Sequence, residues 1–302
     1  MRATLRTPTA AEAVPVQAVW EASQQADDPG SRARGGWSVD SWATAKCALL
    51  LGEQVIGVAA VSAGNASTGT VAARVALDHD HRQPGLANLL IQACVDLARK
   101  AKGEVVRLFA PAEGDWAQQA AREAGFEPVR SILHMLLAAR TPLLAADTAR
   151  GVRIRPMHAG EEESILAALN RNWAGTWDFV PIRPEMLEAD LVDQRDGMLL
   201  AVDDLDDRRI LATCHAVFDP TDQNPDGDPR AWISNLTVDP DQRGRGLGRA
   251  MLVAGMRFLR SRGAGSITLG VDGGDPAPLR LYQSVGFETV SSTCAWDKSL
   301  RT

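Results

Sequence analysis

Between a strand-like run, Ile233 to Val238, and an amphipathic run that begins at Gly246 lies Arg243-Gly-Arg-Gly-Leu-Gly248. A glycine-rich turn that leads a strand into a helix presents backbone N–H groups at the helix start, and the missing Cβ atoms let an anion approach them closely. Arg243, Arg245 and Arg249 concentrate positive charge there, on a chain that is acidic elsewhere. Residue types and spacing suit a pyrophosphate, although a tight strand-to-helix turn would ask for the same glycines. Two nucleotide-binding signatures do not fit. Gly244, Gly246 and Gly248 do not complete GxGxxG and lack an acidic ribose ligand, and no GK[ST] follows.

Other residues able to do chemistry are few. Tyr282 is the single tyrosine, against eight tryptophans and six phenylalanines. His215 lies on the run preceding Ile233, and histidine is the side-chain type whose ordinary pKa lies near neutrality, so it is a candidate base; a packed strand histidine fits the same position. Asp178 stands between Trp177 and Phe179, where an acid flanked by rings suits a cationic amine, or a plain loop. Asn235 and Ser234 can orient a water but are not bases. Cys47, Cys94, Cys214 and Cys294 are widely spaced, without a CxxC pair or a Cys/His cluster. They read as reduced thiols, and no metal is expected. His79 and His81 read as solvated loop histidines.

The elements that must position these residues come from a duplication. Asp239 to Gly248 lines up with Asp78 to Ala87, an offset of 161 residues that also pairs Leu269 with Leu108 and Gly286-Phe-Glu288 with Gly125-Phe-Glu127. Over about 55 positions without a gap, roughly a dozen residues are identical. The seam is expected between Arg140 and Gly151, giving domains 1–140 and 151–302. In the second copy an alternating strand opens at Val152, followed by a helix from Gly160 to about Trp173 and a short one from Pro184. Strands are expected at Met198–Val202, Arg209–Phe218 and Ala231–Val238, then a helix from Gly246 to Arg262 that buries Leu247, Met251, Leu252, Phe258 and Leu259. A strand Ser266–Val271, a helix Pro276–Ser284 and a strand from Glu288 to about Trp296 complete it. The first copy repeats the later part with helix Leu86–Lys100, strand Glu104–Phe109, helix Asp115–Ala124 and strand Glu127–Leu137. The fold class is mixed α/β. Asp219 to Arg230 reads as a turn-rich loop and Asp203 to Asp207 as a solvated turn.

The 302 residues are 45% hydrophobic and 23% charged, which suits two soluble globular domains. A net charge of −6 argues against nucleic acid or an anionic membrane as partner. With no signal-peptide pattern and no span-length apolar run, a cytoplasmic monomer or homodimer is expected.

The segment Leu236-Thr-Val-Asp-Pro-Asp-Gln-Arg-Gly-Arg-Gly-Leu-Gly248, with Leu281-Tyr-Gln-Ser-Val-Gly-Phe287 downstream, resembles the two hallmarks of the GCN5-related N-acetyltransferases. The resemblance covers the second half well and the first in degenerate form. It implies two tandem folds, each a mostly antiparallel mixed sheet flanked by helices with splayed central strands. It implies acetyl-CoA as cosubstrate and a small-molecule primary amine as acceptor. The amides of Arg243, Gly244, Arg245, Gly246, Leu247, Gly248 and Arg249 would hold the pyrophosphate. Leu236, Thr237 and Val238 would pair with the pantetheine arm. Asp275 stands where the family usually has a cofactor-touching Asn, and Pro278 where it has Ala. Tyr282 would be the general acid. No Glu matches the base carried by many relatives, and this leaves a non-catalytic acyl-CoA-binding protein as the rival reading.

In the first copy Pro84 replaces Arg245 and Ala121 replaces Tyr282, so the N-terminal half is expected to be inactive and the C-terminal half competent. The tandem layout also resembles mycothiol synthases, which acetylate a cysteinyl amine. Their acidic residue before the fourth strand is Trp232 here, and their basic residue on the third strand has no match.

Overall fold

A computed structural model of the chain describes residues 3–27, 39–62, 67–111, 115–143, 145, 150–223 and 229–301. The first half runs β1 (Ala3–Arg6), α1 (Ala13–Asp27), α2 (Val39–Trp42), β2 (Ala45–Leu51), β3 (Gln54–Val61), β4 (Thr70–Leu77), α3 (Pro84–Lys100), β5 (Val105–Pro111), α4 (Asp115–Glu123) and β6 (Glu127–Leu137). The second repeats that order with β7 (Val152–Pro156), α5 (Glu162–Trp173), α6 (Pro184–Leu191), β8 (Met198–Asp203), β9 (Ile210–Gln223), β10 (Pro229–Val238), α7 (Leu247–Ser261), β11 (Ser266–Asp272), α8 (Pro276–Ser284) and β12 (Glu288–Ser299). Mixed α/β architecture is thus observed, and α8 and β6 have the expected bounds. The turn-rich stretch behaves differently: residues 219–223 extend β9, and Gln223 stands opposite Pro229 of β10. Cross-strand pairing there overrides the local preference for turns. The centre of that loop, 224–228, lies outside the described residues.

The chain divides into two compact units. One comprises Met1–His134, Val271–Asp275 and Thr289–Thr302, the other Met135–Gly270 and Pro276–Glu288. In the first, the strand order is β1-β2-β3-β4-β5-β12-β6. The last strand of the chain therefore lies against β5, with Thr293–Ser299 antiparallel to Val105–Pro111. Arg107 clamps it through two 2.7 Å bonds to the Asp297 carboxylate, a bidentate geometry stronger than a single contact. Two cores flank this sheet. Leu90, Ile91 and Cys94 of α3 pack with Leu49, Ile56, Leu77 and Leu108, while Val16 and Trp20 of α1 pack with Val58 and Leu50.

In the second unit the order is β11-β10-β9-β8-β7. Ile165 and Leu169 of α5 and Leu187 and Leu191 of α6 pack on Met198, Leu200 and Val202 of β8. Leu247, Met251, Leu252 and Leu259 of α7 are buried as their spacing requires, whereas Phe258 is half-buried beneath the Arg262 guanidinium, 5.4 Å from its ring centre. Each unit contains a parallel pair, β4–β5 in the first and β10–β11 in the second.

The structure also reveals a repeat at a second offset. Arg6 pairs with Glu12 as Arg155 pairs with Glu161, and each Glu accepts a backbone N–H three residues before it, from Thr9 at 2.7 Å and His158 at 2.6 Å. These pairs are 149 residues apart (Arg155 against Arg6), so the second copy carries an insertion before the region of 161-residue register.

Candidate active site

The parallel β10–β11 ladder is short. Arg230, Ala231 and Trp232 pair with Ser266, Ile267 and Thr268, and the register ends there. On its other edge β10 stays paired with β9 as far as Val238 opposite Ala212, but shifts register between Ile233 and Asn235. The extra residue is Ser234. A bulge bends its strand and re-aims the backbone, and here it falls just where β10 leaves β11. Ile233 to Val238 therefore present a strand edge outside the β11 ladder, and the expected splay of the central strands is observed.

Beyond Val238 the chain makes one 3-10 turn, Pro240–Gln242, capped by the Asp239 carboxylate accepting from the Asp241 N–H at 3.0 Å. The same cap recurs at Asp78 and Asp80. This accounts physically for the repeated Asp-x-Asp of the two copies. Gly244 and Gly246 follow with φ of 77° and 79°, left-handed values that favour glycine. Both are exposed, and nothing stands within 4 Å of where a Cβ would be. Gly246 is the N-cap of α7 and offers no side-chain cap, so the first-turn amides have neither an intrahelical acceptor nor a capping side chain. Gly248 has a different task. A Cβ there would lie 3.3 Å from Leu281 Cδ2 and 3.7 Å from Val238 Cγ2, so its absence lets α7 approach both α8 and the end of β10.

The three arginines are placed differently. Arg243 is exposed and donates to the carbonyls of Val238 (3.4 Å) and Asn172 (3.3 Å). Arg245 donates to the Gln242 side chain. Arg249 donates to the Ser284 hydroxyl at 2.8 Å, joining α7 to α8. Leu247 is buried, while Leu236 and Val238 are half-buried and Thr237 is buried.

Tyr282 is 8% exposed on α8, with its ring edge-on to Phe287 at 6.1 Å between centroids. Its carbonyl accepts the Val285 and Phe287 amides, which closes the helix into the Gly286 turn. Gly286, at φ 99°, supplies the left-handed residue of that turn. Ala121 and Phe126 occupy the matching places in the first unit and are also buried.

His215 is 0% exposed, held in β9 between Met198 and Asn235 in the two registers. Asn235 is half-buried on β10. Asp178 is exposed between half-buried Trp177 and Phe179, and its φ of 57° is left-handed, a region that Asp tolerates better than most residues. Asp275 is exposed, precedes α8, and belongs to the first unit, where its amide donates to the Asp272 carbonyl at 3.1 Å. No group of three or more His, Cys, Asp or Glu able to hold a metal exists among the described residues. No helix among them is long and apolar enough to cross a membrane.

Sequence reasoning missed Asn172. Its buried Nδ2 donates to the Thr237 hydroxyl at 2.9 Å, and that hydroxyl lies 2.8 Å from Thr213 Oγ1. The Asn172 carbonyl also receives Arg243, so one residue of α5 ties the strand edge to the loop. The pairing spans 65 residues and leaves no local pattern.

The profile of the acetyltransferase (GNAT) family matches residues 16–126 and 163–287. The chain belongs to this family. As a GNAT protein it is an acyltransferase, built as a tandem pair. It is 31% identical over 218 residues to the mycothiol acetyltransferase of Thermobispora bispora, covering 68% of each chain. It is 30% identical to that of Saccharopolyspora erythraea over 78% of this chain and 79% of the other. Among solved structures, the GCN5-related N-acetyltransferase from Sphaerobacter thermophilus superposes with a TM-score of 0.78 at 20% identity, over 99% of this GNAT chain and 96% of that one. A tandem GNAT protein from the clavulanic acid biosynthesis pathway gives 0.71 at 14% identity, over 100% and 99%. These two likenesses show the fold.

Proposed function

We propose that this GNAT protein is an acetyl-CoA-dependent N-acetyltransferase whose C-terminal unit acetylates the primary amine of a small molecule by direct attack. The observation that carries this reading is the conjunction at one place of the β10–β11 divergence after Trp232 and the uncapped, arginine-flanked start of α7. The residues fit the cosubstrate: two exposed left-handed glycines leave open space at a helix N-terminus where a pyrophosphate would sit. The amides of Leu247, Gly248 and Arg249, with the three arginines, bind it. The edge of Leu236 to Val238 aligns the amide-bearing arm as an added strand.

Bound acetyl-CoA supplies an acyl group activated as a thioester. A C–N bond forms to the amine as the C–S bond breaks, and Tyr282 donates a proton to the departing sulfur. Backbone N–H groups of β10 at the divergence polarise the carbonyl. Asp178 holds the cationic amine, and a water oriented by Asn235 or Ser234 receives its proton. His215 is sealed inside the sheet and takes no proton-transfer step. The first unit does no chemistry, since Ala121 replaces the phenol. The unbonded thiols suit a reducing cytoplasm.

A second reading of the acceptor is favoured by the relatives. Acetylation of a cysteinyl amine, as in mycothiol acetyltransferases, uses the same machinery with a thiol-bearing substrate. One assay tests both: release of CoA thiol by wild type and Tyr282→Phe across an amine panel that includes cysteinyl amines, with product mass to exclude thiol exchange. Acetyl-CoA binding without turnover on any amine would favour a non-catalytic acyl-CoA-binding protein.

A further inference from the structure

The 161-residue offset puts Arg82 of the first unit where Arg243 stands in the second, and the two arginines have opposite surroundings. Arg243 is exposed and touches two carbonyls. Arg82 has a side chain only 15% exposed, with Nη1 2.6 Å from Asp27 Oδ1, whose own side chain is 4% exposed. Trp116 of α4 lies under its guanidinium at 5.5 Å and directs its indole N–H toward the same carboxylate at 3.5 Å. Ser23 donates to that carboxylate at 3.0 Å while accepting the Leu77 amide, which fixes the carboxylate beside the end of β4.

The strand divergence of the first unit differs as well. The β4–β5 ladder ends at Ala73 opposite Leu108. Arg74, the next residue, places its guanidinium 5.8 Å from the Trp42 ring and 5.5 Å from the Phe109 ring. The offset matches Arg74 and Phe109 to Asn235 and Gly270, which are smaller. Gly85, the match of Gly246, has no left-handed φ and lies in the first turn of α3 behind Pro84.

We propose that Asp27 is an internal counter-anion that captures Arg82 in place of a cosubstrate phosphate. With Arg74 filling the strand gap, the first unit is closed to acyl-CoA and the chain binds one equivalent. This rests on the functional reading of the second unit. A buried carboxylate already neutralises the arginine, so a free phosphate would have to displace an ion pair that is out of water on the carboxylate side.

Calorimetric titration with CoA is expected to give one site per chain. Gly246→Val should remove that site, and the paired change Asp27→Asn/Arg82→Gln should leave its stoichiometry and affinity unaltered. Two sites, or one that survives Gly246→Val and is lost with the paired change, would overturn the proposal while leaving acyl-CoA binding intact. No binding at all would overturn the functional reading, and the count of one with it. A second measurement isolates Asp27. In the Gly246→Val background, Asp27→Asn leaves Arg82 without its anion. Pyrophosphate should then raise the Tm by about 2 °C, a rise absent in Gly246→Val alone and in the variant also carrying Arg82→Gln. No such gain would overturn the role of Asp27.

Discussion

Arg249 of α7 donates to Ser284 of α8 across 2.8 Å, and Ser284 in turn donates to the Leu281 carbonyl at 2.7 Å. This chain of bonds joins the helix that begins at the glycine loop to the helix that carries Tyr282. The loop and the phenol are 34 residues apart in sequence (Tyr282 against Gly248), and the contact makes their relative placement a property of two packed helices. Leu281 meets Gly248 at the same junction.

Tyr282→Phe keeps the ring that packs on Phe287 and removes only the hydroxyl. If the phenol delivers the proton, kcat falls by about 10²-fold, at the lower end for general acids because a thiolate is a good leaving group. The affinity for CoA should hold. Steady-state kinetics with a CoA titration check this, and an equal kcat would remove Tyr282 from the mechanism.

Glycines at matching positions should respond oppositely. Gly246→Ala forces a Cβ into φ 79° and should cost about 1 kcal/mol or more. Gly85→Ala, in a helical turn with open space around it, should stabilise by about 0.5–1 kcal/mol. Urea unfolding of the two variants measures the contrast.

At Gly255 the limit is packing. A Cβ there would lie 2.7 Å from Cys214 Sγ and 3.0 Å from Ile233 Cδ1, so α7 rests directly on β9 and β10 beneath the bulge. Gly255→Ala should destabilise by about 1–3 kcal/mol through overpacking and shift the strand edge of the site. Calorimetric melts and a raised KM for acetyl-CoA would register it.

Burial pushes the thiols of Cys94 and Cys214 up to about 12, and it raises those of Cys47 and Cys294 to a lesser degree. Thiolate is the reactive form. A disulfide-exchange reagent should therefore label Cys47 and Cys294 slowly in the native protein, and Cys94 and Cys214 only after unfolding. Mass mapping of the labelled sites decides.

The Arg155 side chain grips Glu161 through bonds of 2.6 and 2.9 Å and holds its carboxyl below the usual range. A depressed carboxyl stabilises the fold above its unfolded pKa, and that contribution is lost as pH falls through the lower folded value. Glu161→Gln should cost about 1 kcal/mol at pH 7. The difference from wild type should shrink through the acid range and close below the folded value of Glu161. Melts between pH 7 and pH 2 test the sign.

Much of this was legible in one dimension. Turn glycines, helical spacing and the 161-residue register are local, and local sterics decide them, so α8 and the glycine loop could be read directly. The 149-residue register of Arg6–Glu12 and Arg155–Glu161 is not legible in the sequence, because two matched residues in a short strand and turn carry too little signal alone. The junction of Asn172, Thr237 and Arg243 is hidden for a different reason: its partners are distant in sequence and meet only through packing.

The sequence by itself determined that the chain is a duplicated α/β protein with one intact loop, and that its single phenol lies in the same copy. Those are statements about residue identity at aligned positions. Tertiary structure alone decided that β12 completes the sheet of the first unit, that β10 leaves β11 at Trp232 beside a bulge at Ser234, and that Asp27 buries Arg82. Backbone pairing and burial are set by which long-range partner satisfies each group best, a competition that spacing along the chain does not encode.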